Sequence, residues 1–210
     1  ETATSLSNGD ATFDFFDDFN TLDTTKWYIA SGTQYTLSDS ILRINVGAIG
    51  LQNPLNFTLN NGYIVESKIQ YNTNSEGNYS GVLETSSSRF TASNNANADA
   101  TVLYMVESLS SDTRVVTFIG SGASTSYDVG YGVVFNISLN TWYILGIETT
   151  PSTVGLWKDY SRLRGYSVTW AKNMVYISMG AFDGSGTYDI KDTSYDWIRV
   201  RKYTSPEPNI

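Results

Sequence analysis

Two absences narrow the chemistry open to this chain: its 210 residues contain no His and no Cys. A Ser-His-Asp triad, a histidine base, thiol catalysis and thiolate metal sites are therefore excluded. Little charge titrates between about pH 5 and pH 8, where imidazole would. Carboxylates remain as the groups able to move protons or ligate a cation. A hydrolytic carboxylate pair on one strand needs positions i, i+2 and i+4, which share a face, with carboxyls roughly 5 Å apart for a retaining mechanism. That spacing is missing. Glu66 is followed at i+2 by Lys68, Glu84 by Ser86 and Ser88, Glu107 by Leu109 and Ser111, and Glu148 by Thr150 and Ser152. Asp14 and Asp18 share a strand face, with Phe16 between them. Apart from that opening-strand pair, only carboxylates brought together from distant strands would make an acid pair.

Other side chains point to binding. Trp157, Tyr160, Tyr166 and Trp170 fall in a polar stretch and are expected to form a flat platform for sugar rings, with Trp157, Tyr160 and Trp170 as its anchors; packing across the sheet is the competing expectation. Trp27, Trp142 and Trp197 lie in apolar runs and are expected in the core. Asp17 and Asp18 form a candidate cation site, against the plainer role of ending a strand, and Asp183 and Asp189 flank a Gly-rich loop without EF-hand spacing. Three sequons, Asn56-Phe57-Thr58, Asn78-Tyr79-Ser80 and Asn136-Ile137-Ser138, are expected to carry N-glycans on an exported chain. The net charge of −8 opposes binding to nucleic acid, which needs Lys and Arg to replace counterions, and to anionic membranes.

These groups must be positioned by strands. β-Branched and aromatic runs recur between Gly, Asn, Ser and Asp breaks, and neither a long helix nor an internal repeat is evident. Tyr63–Tyr71 alternates most clearly, with Tyr63, Val65, Ile69 and Tyr71 on one face and Glu66, Lys68 and Gln70 on the other. Further strands are predicted at 101–108, 114–119, 141–149, 154–159, 174–181 and 195–203, with shorter ones at 41–46 and 51–55. The length suits one sandwich, divided as a polar tail (1–11), a domain (12–204) and a C-terminal tail (205–210). Thr2, Thr4 and Leu6 alternate in the first segment, which is expected to add as a donor strand to a neighbour's sheet edge. Repeated, that contact would build an open filament. No run approaches the roughly 20 apolar residues of a spanning helix. No signal peptide opens the chain, which reads as a mature, exported protein at the cell surface.

The two ends carry a family resemblance. Phe16-Asp17-Asp18-Phe19-Asn20 followed by Leu22-Asp23-Thr24-Thr25-Lys26-Trp27, and the closing Tyr195-Asp196-Trp197-Ile198-Arg199-Val200-Arg201, resemble the first and last strands of concanavalin A-like lectin/glucanase domains. The closing strand, followed by Ser205-Pro206-Glu207-Pro208, is similar to that of uncharacterised secreted archaeal and bacterial domains. The resemblance implies an all-β, single-domain jelly-roll sandwich of two antiparallel sheets. It also implies a structural calcium at Asp196, with Asp18 as a second candidate ligand; a turn cap or pairing with Arg199 or Arg201 is the alternative role for Asp196. Glucanases of this type carry a Glu-x-Asp-x-Glu strand in mid-chain, which is missing here. Three functions follow as expectations: a non-catalytic extracellular structural or adhesive subunit, in its specific form a glycosylated filament protein; a glycan-binding module; and a hydrolase with an atypical acid pair.

Overall fold

The computed structural model describes residues 13–55, 62–72, 79–86, 100–109, 112–121, 129–171, 175–182 and 192–203. The tails 1–11 and 205–210, with the donor-strand residues Thr2, Thr4 and Leu6, lie outside them, as do Asn56, Asn78, Asp183 and Asp189. In chain order the strands are β1 (Phe15–Asp17), β2 (Trp27–Ile29), β3 (Gln34–Ser38), β4 (Ile41–Val46), β5 (Ala48–Leu51), β6 (Tyr63–Tyr71), β7 (Tyr79–Ser86) and β8 (Ala100–Leu109). They continue as β9 (Asp112–Ser121), β10 (Gly130–Asn136), β11 (Trp142–Thr149), β12 (Thr153–Lys158), β13 (Ser161–Ser167), β14 (Tyr176–Phe182) and β15 (Thr193–Lys202). Among the described residues there is no helix, and so none long and apolar enough to cross a membrane.

The strands form two antiparallel sheets. One has eight strands, ordered β13-β12-β11-β6-β15-β4-β3 with β1 also on β15; the other has seven, ordered β10-β9-β8-β7-β14-β5-β2. The last strand thus lies in the middle of the first sheet, against β6 over nine residue pairs. The alternation read in β6 explains the layering. Tyr63, Val65, Ile69 and Tyr71 enter the core between the sheets, with Leu145, Ile147, Val154 and Leu156 from β11 and β12 and Ile49, Ile177 and Met179 from the facing sheet. Tyr195 crosses the core, its phenol oxygen accepting the Gly180 N–H at 3.0 Å; burial holds that phenol above its usual range.

The opening motif is an anchor. Asp17 is buried and accepts two hydrogen bonds, from the Trp27 indole N–H at 2.7 Å and from the Phe19 amide at 2.9 Å. Phe15 packs edge-on to the Trp27 ring at 5.6 Å, and Phe19 and Trp27 are both fully buried. Trp27 therefore occupies the core as the apolar run predicts. Trp142 and Trp197 do not: both are half-buried on the outer face of the eight-stranded sheet. The strand predicted at 51–55 runs earlier, as β5, and β2, β3, β7, β10 and β13 lie outside the sequence expectation.

In the middle of β4, Arg43 holds Asp192 through Nε at 2.5 Å and through Nη2, and the Asn72 amide donates to the same carboxylate at 3.0 Å. Burial by itself raises the Asp192 pKa, but the Arg43 and Asn72 hydrogen bonds and the Arg43 charge outweigh it and leave it lowered. A lowered native pKa contributes stability that is complete above the unfolded-state value, near 3.9, and is lost as pH falls through the native value. The urea midpoint is expected to drop on acidification below about pH 4, and to drop less steeply in Asp192→Asn. An unchanged slope in that variant would remove Asp192 from the acid response.

Candidate functional site

Polar chemistry concentrates on the outer face of the eight-stranded sheet, where alternation places Glu66 and Lys68 as read. Cross-strand register builds two adjacent rows. In one, Arg199, Glu66, Gly146, Trp157 and Arg162 follow one another across β15, β6, β11, β12 and β13. In the next, Arg201, Ile64, Glu148, Gly155 and Gly165 do the same. Glu66 and Glu148 are thus diagonal neighbours on adjoining strands, a relation that puts Cα atoms roughly 7–8 Å apart.

Both carboxylates are buried, at 3% and 1% exposure. Glu66 accepts Arg199 Nε at 2.7 Å and Arg201 Nε and Nη2 at 3.3 Å. Glu148 accepts the Trp157 indole N–H at 2.8 Å, Arg162 Nε at 3.0 Å and Arg162 Nη2 at 3.3 Å. Glycine makes room for the second group: a Cβ on Gly155 would collide with Glu148 Oε2, and one on Gly165 would lie 2.8 Å from the Arg162 guanidinium nitrogens. Arg199 also lies against aromatic rings, with Cζ 4.9 Å from the Phe13 centroid, 4.8 Å from Trp197 and 6.0 Å from Tyr160. This cluster was not legible as a site, because its members are separated by up to 135 residues. Only the polar alternation of β6 hinted at it.

Asp196 sits at a bulge between Tyr195 and Trp197 and is bound by Lys68 Nζ at 2.5 Å, so its cationic partner comes from β6 rather than from Arg199 or Arg201. Lys68 lies over the Trp142 ring at 5.3 Å. Asp18 is exposed and accepts the Asn20 amide groups. Calcium takes six to eight oxygen ligands. Among the described residues no three acidic side chains assemble a metal-binding group, and the Asp196 carboxylate already faces an ammonium.

The sugar-platform residues separate. Trp157 lies in the glutamate cluster. Tyr160 is exposed in the β12–β13 turn, where Asp159 and Tyr160 both take positive φ (46° and 65°). Trp170 lies at the other end of that hairpin, about 17 Å away for five residue steps along β12. It lines an open cleft of about 750 Å³ between the ends of β9, β12 and β13. Asn136 is exposed at the end of β10.

A domain of unknown function, DUF2341, matches residues 1–30, the segment that contains Asp17 and Trp27. No curated protein matches the sequence. Solved structures share the architecture. Bacillus licheniformis β-glucanase superposes with a TM-score of 0.64 at 12% identity, covering 90% of this chain and 97% of that one. The Emp47p carbohydrate recognition domain gives 0.63 at 9%, covering 93% and 99%. Rv0315 of Mycobacterium tuberculosis, described as an immunostimulatory antigen and pseudo β-1,3-glucanase, gives 0.60 at 12%, covering 91% and 99%. At these identities the likeness is one of fold, and the fold is the concanavalin A-like jelly roll expected from the two terminal motifs.

Proposed function

We propose that this jelly roll is an extracellular carbohydrate-binding module that holds a glycan without cleaving it. The observation that carries the reading is the state of Glu66 and Glu148. These are the two carboxylates that the register brings near each other on the described sheet face, and each is buried and closed off by guanidinium or indole donors. A glycosidase needs one protonated and one free carboxyl flanking an open groove. The fold is shared with a domain named for carbohydrate recognition and with a pseudo-glucanase, and half-buried Trp170 lines an open cleft where an indole face can meet a sugar ring.

The test is a glycan array on the intact chain, run beside a reducing-end assay on β-glucans, agars and galactans. Binding to at least one glycan without release of reducing ends is the expected result. Released reducing ends would overturn the non-catalytic part, and an empty array would remove the reading.

A structural or adhesive role is favoured by one separate observation. β13 is an outermost strand with six of its seven residues exposed, and such an edge accepts an added strand. Deleting residues 1–10 is expected to abolish any filaments seen by electron microscopy; filaments that persist would exclude linkage through that segment.

A further inference from the structure

We infer that the cleft beside Trp170 is a binding site for a neutral saccharide; this deepens the preceding reading and rests on it. The cleft is walled by residues 168–171, a strap that joins the two sheets. The Val168 N–H bonds to Ser152 O at 2.9 Å in the β11–β12 turn, and the Ala171 N–H bonds to Ser121 O at 3.0 Å at the end of β9. Between them the Trp170 indole N–H donates to Thr150 O at 2.8 Å. The indole is thus fixed by its edge before any ligand arrives, and its one polar atom is already satisfied. What it can offer a ligand is its apolar face.

The other chemistry is set by hydroxyls. Ser121, Ser152, Thr153, Ser167 and Thr169 line the cleft with Trp170, and the remaining described lining residues are aliphatic. Among the described residues no charged side chain lines it. Hydroxyls donate and accept alike, so the surface matches a ligand that carries many hydroxyls and no charge, with one apolar face to lie against a ring. A pyranose has those properties. Among the described lining residues an anionic sugar would find no cation. The volume falls within the roughly 300–1,000 Å³ usual for small-molecule sites, and a wall held by three hydrogen bonds lowers the ordering cost of binding.

The site lies at the end of the β12–β13 hairpin opposite Tyr160, so variants can separate the possibilities. Titration calorimetry of the full chain with neutral β-glucan, mannan and galactan oligosaccharides is the measurement. Thr169 is exposed, and Thr169→Arg would fill the cleft from its rim. It is expected to weaken binding at least about tenfold with an unchanged melting temperature. Trp170→Ala is expected to do the same where it folds, and Tyr160→Ala to bind as the parent does. If the parent binds and Thr169→Arg binds equally well, the cleft assignment is overturned while the carbohydrate reading survives. Loss of binding in Tyr160→Ala alone would likewise move the site to the other end of the hairpin. If the parent binds acidic glycans only, the assignment to neutral sugars fails. A parent that binds no saccharide at all removes both.

Discussion

Trp27→Phe is expected to lower the unfolding free energy by about 3 kcal/mol, read as a fall in the urea midpoint followed by circular dichroism. Two costs combine. The smaller ring leaves a void where Trp27 is fully buried against Phe15 and Phe19, and lost packing in a core is only partly recovered by relaxation. The substitution also removes the N–H that reaches Asp17 Oδ2 at 2.7 Å. Asp17 is 7% exposed and, of its two donors among the described residues, would keep the Phe19 amide; a buried acceptor that loses a donor costs on the order of 1–3 kcal/mol. The hydrogen-bond share is separable from the void. In a double-mutant cycle with Asp17→Ala, the pair is expected to couple by at least about 1 kcal/mol, as residues in direct contact do. Additive effects would mean that Trp27 acts by packing alone. The segment matched by the DUF2341 family contains both partners, so the spacing of Asp17 and Trp27 is accounted for by closure of the N-terminal strand onto the core.

What the sequence made legible follows from periodicity, and what it hid follows from register. Tyr63–Tyr71 is readable because a strand buried on one face alternates strictly. β13 escaped for two reasons. Its residues, Ser161-Arg162-Leu163-Arg164-Gly165-Tyr166-Ser167, are almost all exposed at a sheet edge, so no alternation marks them. Its turn also uses Asp159-Tyr160 at positive φ, where a reader of turn chemistry looks for Asn-Gly or Asp-Gly. Asp39-Ser40, with φ of 52° and 60°, hides the β3–β4 hairpin in the same manner. Trp197 is expected in the core because it lies in an apolar run, and an unbroken strand would indeed place it on the same face as Tyr195, two residues before it. A bulge at Asp196 breaks that parity: Tyr195 pairs with Ile69 and faces inward, while Trp197 pairs with Lys68 and faces out. A single extra residue redirects the side chains that follow it, and nothing in the local composition announces it. The bulge also brings Asp196 beside Lys68.

The candidate sites were legible only in part, for a related reason. Trp170 could be named because aromatic residues in a polar stretch stand out, but its distance from Tyr160 depends on a hairpin the sequence did not show. Glu66 and Glu148 were dismissed for lacking an acidic residue at i+2, which is a test within one strand. Their relation runs between strands, through Gly146 and Ile64, and their partners come from β12, β13 and β15. Side-chain type gave the polar face of the sheet; only pairing gave the cluster.

Glu66→Ala is expected to destabilise the fold by about 3 kcal/mol. Removing one member of a buried ion pair leaves the others desolvated without compensation, typically at 3–5 kcal/mol. The lower end applies because the Arg199 and Arg201 side chains keep 18% and 23% exposure and regain some hydration. Arg199→Met should cost less, since Glu66 then retains Arg201 and the methionine can rest between the Phe13 and Trp197 rings. Glu66→Leu combined with Arg199→Met should recover part of the loss, because an apolar replacement of a buried pair is often close to neutral. Urea unfolding of the four proteins decides this. The same series separates a structural glutamate from a chemical one. A catalytic acid in an open groove can be removed with little change in the midpoint, so an unshifted Glu66→Ala midpoint would reopen the outer face as a place for chemistry. A large shift ties this carboxylate to holding β6 and β15 together, and with it the non-catalytic reading of the sheet.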